Sequence, residues 1–271
     1  MFMDRDLALR LEPTEGHFAA SFVDARGPCD SLWRRFGSTV AIYDGVDSPL
    51  TQTFGLGLDG PVSADELAEI EALFTSRGVD VMHEVCPFAG IETYALLADR
   101  GYRPIELSSV LVQPLGDPHP ELDEPLAAPP SLRVRAIEPA DRADWIETSV
   151  AGLSDDPTIA ATFRPLAEVM THNRASVAYL VEHDGAPIAT GSLSFHGTVA
   201  LFAGASTIPA ARGRGAQTAL LATRLADARR RGCDLAMMVT APGSTAQRNA
   251  ERRGFRVAYS RVKWRRALSA A

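Results

Sequence analysis

Cysteine and lysine are scarce in this sequence, and long apolar runs are absent. Cys29, Cys86 and Cys233 are odd in number and far apart, and no Cys-x-x-Cys pair occurs. Neither a disulfide framework nor a zinc site is therefore indicated, and we predict no metal. No run of 18 apolar residues is present, so no membrane span is expected. Residues 1–12 lack a basic segment followed by an apolar core; we expect no secretory signal and a cytoplasmic protein.

Apolar and charged residues are present in the proportions of a folded protein. Of 271 residues, 46% are hydrophobic and 23% are charged, which allows a real core and argues against disorder. The length fits one large domain or two of ordinary size. Residues 1–125 carry 22 acidic residues against eight arginines, whereas residues 126–271 carry 19 basic residues against 12 acidic ones. The basic half suits a ligand that bears several phosphates.

Two basic runs, Arg229–Arg231 and Arg265–Arg266, raise nucleic acid as another partner. The first run closes a predicted helix, where positive charge opposes the negative end of the helix dipole. The net charge of −7 also argues against a polyanionic partner. We therefore expect no nucleic acid.

The strongest composition change lies in residues 114–131, which contain six prolines in a short acidic stretch. Such a segment is typical of a stiff, extended linker. The sequence therefore predicts an N-terminal domain over residues 1–113 and a C-terminal domain over residues 132–271.

The first half alternates predicted helices and strands. Residues 4–25 have apolar residues at helical spacing, and we expect Pro13 to break or kink that helix. His83 and Glu84 face opposite sides of a predicted strand, which favours ordinary packing or surface roles. The other predicted elements are strands at 38–43, 51–58, 79–85 and 102–112, and helices at 64–77 and 91–100.

Residues 55–60 satisfy the dinucleotide-binding pattern G-x-G-x-x-G. A dinucleotide site requires the helix to begin inside that pattern. Here Pro61 and Val62 intervene, and Ser63 with Glu66 forms a capping box that starts the helix later. We interpret these glycines as strand and turn positions.

The second half predicts a longer series of elements. Asp184-Gly185 is a strong hairpin signal between two of its strands. The predicted strands are 132–137, 176–182, 188–195, 201–205, 235–240 and 255–264, and the predicted helices are 139–151, 158–171, 217–231 and 244–253.

The central stretch of the second half is the strand, turn and helix over residues 201–221. An apolar strand leads into Arg212-Gly213-Arg214-Gly215, and a helix follows. Converging backbone N–H groups and a helix N-terminus form an anion site, and glycines allow close approach of a phosphate. A P-loop is excluded because the only lysine is Lys263, and Thr218 stands where a dinucleotide fingerprint needs its third glycine.

The same turn resembles motif A of the GNAT superfamily of acyl-CoA N-acyltransferases, [QR]-x-x-G-x-[GA]. Arg212 and Gly215 fit, whereas Gln217 stands where the family prefers Gly or Ala. A second similarity lies in residues 249–255, NAERRGF, which resemble the family's late helix ending in Gly-Phe. The predicted element order of residues 132–266 is also that of the GNAT fold.

This resemblance implies an α/β fold in which each domain has a mixed, mostly antiparallel sheet flanked by helices. It implies an N-acetyltransferase that moves an acetyl group from acetyl-CoA to a primary amine by direct attack. A small-molecule or peptide amine is then the substrate, and a homodimer is left open. The residues implied to contact acetyl-CoA are Ser206, Thr207, Ile208, Arg212, Gly213, Arg214, Gly215, Ala216, Gln217 and Asn249.

The catalytic acid and base are not identified by the resemblance. Ala250 stands where many members carry a tyrosine acid, and Gly243 stands where many carry an asparagine. Tyr259, on the last extended segment, is our candidate proton donor, with an ordinary core or surface aromatic as the alternative. A non-catalytic acyl-CoA-binding sensor or interaction protein is the rival function.

Glycines and prolines recur at nearly constant spacing in the two halves, which predicts an internal repeat. Gly78 and Gly232 each end a helix, Pro87 and Pro242 each follow the next strand, and Gly101 and Gly254 each end the following helix; the offsets are 154, 155 and 153 residues. Asp59 and Pro61 occupy the place of the Gly/Arg turn in the first copy. We therefore predict a degenerate GNAT-like N-terminal domain that does not bind coenzyme A.

Overall fold

The computed structural model describes residues 3–27, 29–116, 131–153 and 157–268. The predicted linker lies, over residues 117–130, outside this description. The described residues fall into two units. Of the described residues, those up to 111, 239–248 and those from 257 form the N-terminal unit, and those within 112–238 and 249–256 form the C-terminal unit. Within the described ranges, no helix has the length and apolar character needed to cross a membrane.

The elements alternate along the chain much as the sequence predicts. From the N-terminus they are α1 (Arg5–Arg26), β1 (Leu32–Phe36), β2 (Thr39–Tyr43), β3 (Gln52–Phe54), α2 (Ala64–Thr75), β4 (Val81–Val85), α3 (Gly90–Asp99) and β5 (Arg103–Pro114). After the linker they are β6 (Leu132–Ala136), α4 (Arg142–Leu153), α5 (Pro157–Met170), β7 (Ser176–His183), β8 (Ala186–His196), β9 (Val199–Thr207), α6 (Ala216–Arg230), β10 (Leu235–Thr240), α7 (Thr245–Glu251) and β11 (Arg256–Arg266).

The break predicted at Pro13 is wrong, because α1 is a single helix over Arg5–Arg26. A proline inside a helix removes one backbone donor, here the one that would bond to the carbonyl of Leu9. The side chain of Leu9 is 42% exposed, so this bond is lost on the solvent side of the helix. Buried residues on both sides of the proline, including Leu11 and Phe22, hold the helix against the core.

The sheet of the N-terminal unit has the order β1-β2-β3-β4-β11-β5, in which β5 contributes its residues up to 111. β3 and β4 run parallel, with Thr53 opposite His83, whereas β1 with β2, β2 with β3, and β4 with β11 are antiparallel. β11 pairs with β4 through Val262 opposite Val85. The last strand of the chain therefore belongs to the N-terminal unit, although the sequence had grouped it with residues 132–271.

Two glycines end β3 earlier than the predicted strand at 51–58. Gly55 and Gly57 have φ of +78° and +73°, which disfavour any residue with a Cβ. A Cβ at Gly55 would lie 2.6 Å from the carbonyl oxygen of Ser38, and one at Gly57 would lie 2.6 Å from Oγ1 of Thr93. The G-x-G-x-x-G match is therefore explained by a tight turn in the chain.

The sheet of the C-terminal unit has the order β10-β9-β8-β7-β6. β9 and β10 are parallel, with Leu201 opposite Met237, and the remaining neighbours are antiparallel. The predicted hairpin between β7 and β8 is confirmed, because Asp184 and Gly185 have φ of +50° and +81°.

The predicted repeat is visible in the parallel strand pairs. α2 connects β3 to the parallel β4, and α6 connects β9 to the parallel β10. Each unit thus has a strand–helix–strand crossover followed by a second helix, as the glycine and proline offsets predict. The N-terminal unit therefore repeats the strand and helix order of the C-terminal unit.

Candidate functional site

The turn before α6 has the backbone geometry of an anion site. Gly213 and Gly215 have φ of +78° and +84°, in the left-handed region that favours glycine. The first bond of α6 runs from the N–H of Ala219 to the oxygen of Gly215, 3.0 Å apart. The N–H groups of Gly215 through Thr218 therefore have no acceptor within the helix. This array gives α6 an N-terminus able to bind a phosphate.

No side chain caps this helix, in contrast to α2 and α7. Gly215 stands at the N-cap and offers no oxygen, whereas Ser63 and Ser244 accept the N–H groups of Glu66 and Gln247, both at 3.1 Å. The backbone donors of α6 are thus left for an external acceptor. The residues of the Gly/Arg turn beside these donors, Arg212, Gly213, Arg214 and Gly215, are all exposed. We call these residues, together with the N–H groups of the first turn of α6, the cradle.

Two hydrogen bonds made by its side chain give a structural reason for Gln217 where motif A prefers Gly or Ala. Its Nε2 donates to the carbonyl oxygen of Ser206 and to Oγ1 of Thr207, both at 2.8 Å. The side chain therefore ties the first turn of α6 to the end of β9, while its backbone N–H stays in the cradle.

Several atoms at the end of β9 are already bonded within the C-terminal unit. The N–H of Ile208 donates to the oxygen of Ile188 at 3.0 Å, and Oγ of Ser206 lies 2.9 Å from Oγ1 of Thr190. The oxygen of Thr207 accepts Nε of Arg212 at 3.4 Å. Residues 206–208, which are predicted to contact acetyl-CoA, are therefore largely engaged with the chain itself.

Just before these residues, β9 contains a bulge that the sequence did not predict. Thr190 pairs with Ser206 and Ser192 pairs with Ala203, so β9 holds one more residue than β8 between the pairs. The added length falls at residues 204–205, where Gly204 has φ of +60° and both residues are exposed. A bulge leaves backbone groups outside the ladder, where a ligand can reach them.

Arg224 on α6 lies against this bulge and is buried to 3% exposure. Its Nη1 donates to the oxygen of Ser192 at 2.9 Å and to the oxygen of Ala203 at 3.4 Å. Its guanidinium lies 5.0 Å from the ring centroid of Phe202. Burial lowers the pKa of Arg224 to about 10, which keeps it charged at neutral pH.

Gly191 makes room for this arginine. A Cβ at Gly191 would lie 2.8 Å from Cδ2 of Leu220 and 3.2 Å from Nη1 of Arg224. The sequence reading missed Arg224, although a signal was present. Arg224 falls at helical spacing between Leu221 and Ala228, both buried, on the inward face of α6.

The late Gly-Phe motif anchors the end of α7. Gly254 has φ of +93°, and the N–H of Phe255 donates to the oxygen of Ala250 at 3.2 Å. The ring of Phe255 is fully buried and lies 5.8 Å from the ring centroid of Phe202 on β9. Asn249, the predicted cofactor contact, is exposed on α7 and belongs to the same unit as the cradle.

Tyr259 belongs to the N-terminal unit, in a buried cluster of charges. Its hydroxyl donates to Oε1 of Glu12, and Nη2 of Arg261 lies 2.6 Å from Oε2 of Glu15. Glu12 and Arg261 are fully buried. Burial raises the pKa of Glu12, and burial with the nearby Glu12 carboxyl raises that of Tyr259. The role of Tyr259 as a proton donor stays a prediction.

The family assignment rests on the segment that holds these features. Residues 143–255 match the model of the Acetyltransferase (GNAT) family. This segment includes β9, the Gly/Arg turn, α6 and the Gly-Phe motif. The C-terminal part of the chain is therefore a GNAT domain, of a class that performs acyl transfer.

Solved structures extend the likeness to both units. The chain is similar to a GCN5-related N-acetyltransferase from Kribbella flavida, with TM-score 0.66, 18% identity, and coverage of 94% of this chain and 96% of that one. It is similar to a tandem GNAT protein from the clavulanic acid biosynthesis pathway, with TM-score 0.63, 15% identity and 97% coverage of both chains. A GCN5-related N-acetyltransferase from Sphaerobacter thermophilus gives TM-score 0.62 at 17% identity, covering 86% of this chain and 78% of that one. No curated protein matches in sequence. The fold is thus a tandem GNAT fold.

Proposed function

We propose that the C-terminal unit transfers an acetyl group from acetyl-CoA to a primary amine of a small molecule or peptide. The observation that supports this most strongly is the uncapped N-terminus of α6, where the N–H groups of residues 215–218 have no acceptor within the helix. The exposed side chains of Arg212 and Arg214 add positive charge beside it. This arrangement suits the pyrophosphate of coenzyme A.

We assign the thioester end to the bulge of β9. The predicted contacts at Ser206, Thr207 and Ile208 are retained, and the exposed backbone of Gly204 and Ala205 joins them because it lies outside the ladder. A backbone N–H at this point polarises the thioester carbonyl and stabilises the oxyanion formed by amine attack. The thiolate then departs, with a thiol pKa of about 8.5 that makes it a fair leaving group.

The reaction also needs groups that accept and donate protons. The attacking amine must be neutral, so a base or water takes its proton. Tyr259 is retained as the candidate donor to the departing thiolate, and Asn249 as a further cofactor contact.

The N-terminal repeat is proposed not to bind coenzyme A. Its corresponding helix, α2, is capped by Ser63. Asp59, just before that helix, accepts hydrogen bonds from the N–H and hydroxyl of Ser38 at 2.9 and 2.7 Å. A carboxylate in this place repels a phosphate, and the helix N-terminus is already occupied.

Calorimetry with acetyl-CoA tests the proposal on the full chain. Gly215→Glu places a carboxylate in the cradle, and we expect it to weaken binding at least tenfold. Gly232→Glu is the matched control, because Gly232 follows the other end of α6 with φ of +78° and open space around it. Failure of the unaltered chain to bind acetyl-CoA contradicts the proposal.

An amine screen on the chain that binds acetyl-CoA separates an enzyme from a sensor. Release of free thiol with one or more primary amines supports transfer, whereas binding without turnover across a broad panel supports the non-catalytic rival. Cytoplasmic location and a homodimer are further parts of the proposal, and sedimentation at several concentrations tests the latter.

A further inference from the structure

The N-terminal unit contains a cavity of about 920 Å³ whose wall is rich in arginine. This volume lies within the range of about 300–1,000 Å³ that is common for small-molecule sites. The first and the last of the three chain segments that form the unit contribute to the wall. The residues that define its chemistry are Arg100, Arg103, Arg265, Arg266, Ile105 and Leu268.

Two carboxylates, those of Glu71 and Asp80, contact three of these guanidinium groups but are not themselves part of the cavity wall. Oε1 of Glu71 lies 2.7 Å from Nη1 of Arg266, and its Oε2 lies 3.6 Å from Nη2 of Arg100. Nε of Arg265 donates to Oδ2 of Asp80 at 2.6 Å. Since the carboxylates lie outside the wall, they orient the cations while leaving four positive charges facing two negative ones.

Two of the arginines retain unused hydrogen-bonding capacity. Arg103 is exposed, and its side chain makes no hydrogen bond or ion pair in the part of the chain that the structure describes. Nε of Arg100 is buried and has no acceptor among the described atoms. A buried donor without an acceptor costs free energy that an anionic ligand would recover.

The location of this charge stands out against the composition of the chain. Residues 1–125 carry 22 acidic residues against eight arginines, yet the wall is basic. β11 supplies Arg265 and Arg266, the pair that the sequence offered as a nucleic-acid signal. In the structure the pair lines a cavity of small-molecule size, with the apolar side chains of Ile105 and Leu268 beside it. This favours a small ligand over a polymer.

We propose that this cavity binds a small organic anion, with a phosphate or carboxylate head on the arginines and an apolar body against Ile105 and Leu268. Planar guanidinium groups match the paired oxygens of both head groups. The site lies in the N-terminal unit and does not depend on the acyl-transfer proposal.

Calorimetry of the full chain with phenyl phosphate, benzoate and phenol tests this site. We expect both anions to bind and neutral phenol not to bind, and the stronger anion identifies the head group. Arg103→Glu reverses a charge on an exposed side chain that has no partner among the described residues, so we expect the fold to be retained and anion binding to be at least tenfold weaker. Arg174→Glu, an exposed arginine of the C-terminal unit, is the control and should change affinity less than twofold.

Three results would overturn the proposal. One is the absence of anion binding, or phenol binding as tightly as the anions. Another is anion binding that Gly215→Glu removes and Arg103→Glu leaves intact, which would assign the anion to the cradle. The third is that Arg103→Glu loses binding to duplex DNA but binds phenyl phosphate as tightly as the unaltered protein. Acetyl-CoA affinity measured on Arg103→Glu is expected to be unchanged, which keeps this test separate from that of acyl transfer.

Discussion

The guanidinium of Arg224 donates from Nη1 to the main-chain oxygen of Ser192 at 2.9 Å. One residue on α6, the helix of the phosphate cradle, is thereby joined to the strand that faces the bulge of β9. The cation has no carboxylate partner among the described residues, and it is stabilised by carbonyl oxygens and by the ring of Phe202. Cradle and bulge are therefore mechanically connected.

Arg224→Met is expected to lower the free energy of unfolding by about 1–3 kcal/mol, because the oxygen of Ser192 loses its donor in a buried place. Urea denaturation measures this change. Arg230→Met is the control, since Arg230 lies on the same helix with an exposed side chain. Equal stability of Arg224→Met and the unaltered protein would mean that desolvation of the guanidinium offsets its bonds.

Gly191→Ala is expected to destabilise the protein by about 1–3 kcal/mol through overpacking, because its Cβ would lie 2.8 Å from Leu220. Gly116→Ala is the matched control, as nothing lies within 4 Å of a Cβ there. Denaturant midpoints of the two variants give the comparison. A neutral Gly191→Ala would show that α6 shifts freely away from β8.

Because of the buried His83, we expect the free energy of unfolding to decrease as the pH falls below 6.5. His83 is buried between Oγ1 of Thr53 at 2.7 Å and the hydroxyl of Tyr102 at 3.0 Å, and burial, with Arg266, lowers its pKa from 6.5 to about 3. Between these values the unfolded chain binds one more proton than the folded one. This group's contribution is fully present above pH 6.5 and declines by about 1.4 kcal/mol per pH unit as the pH falls toward 3.

His83→Gln tests this, because glutamine offers a donor and an acceptor without titrating. We expect its stability, measured by urea denaturation at pH 7, 6 and 5, to approach or exceed that of the unaltered protein as the pH falls. The raised pKa of Glu12 acts in the opposite direction, since its protonated folded form favours acid, but it is common to both proteins. Parallel pH curves would contradict the prediction.

Tyr259→Phe is expected to lower the free energy of unfolding by about 1–3 kcal/mol, because the buried carboxyl of Glu12 loses a hydrogen bond. The pH profile of acetyl transfer on the same variant tests the proposed proton donor. A lower kcat with a lost alkaline limb supports that role, whereas an unchanged kcat and profile confines Tyr259 to the charge cluster.

Local signals in the sequence predicted the elements and the cradle. Ser63 and Ser244 mark helix starts, Asp184-Gly185 marks a hairpin, and the Gly/Arg turn marks the start of α6. Each of these depends on residues a few positions apart, whose backbone preferences and hydrogen bonds are formed within the segment itself. The element order and the repeat followed from the same local signals.

Only the tertiary structure decided which distant segments meet. No strand was predicted at β1, and a break or kink was predicted at Pro13. The helix is continuous because packing of α1 against the sheet outweighs the cost of the proline. It could not pair β11 with β4, bury Arg224 beneath the bulge, or bring Arg265 to Arg103. The residues next to a strand or an arginine in the sequence do not show which distant segment it will contact. Its partner is set by which long-range contacts bury apolar surface and satisfy every polar group at once.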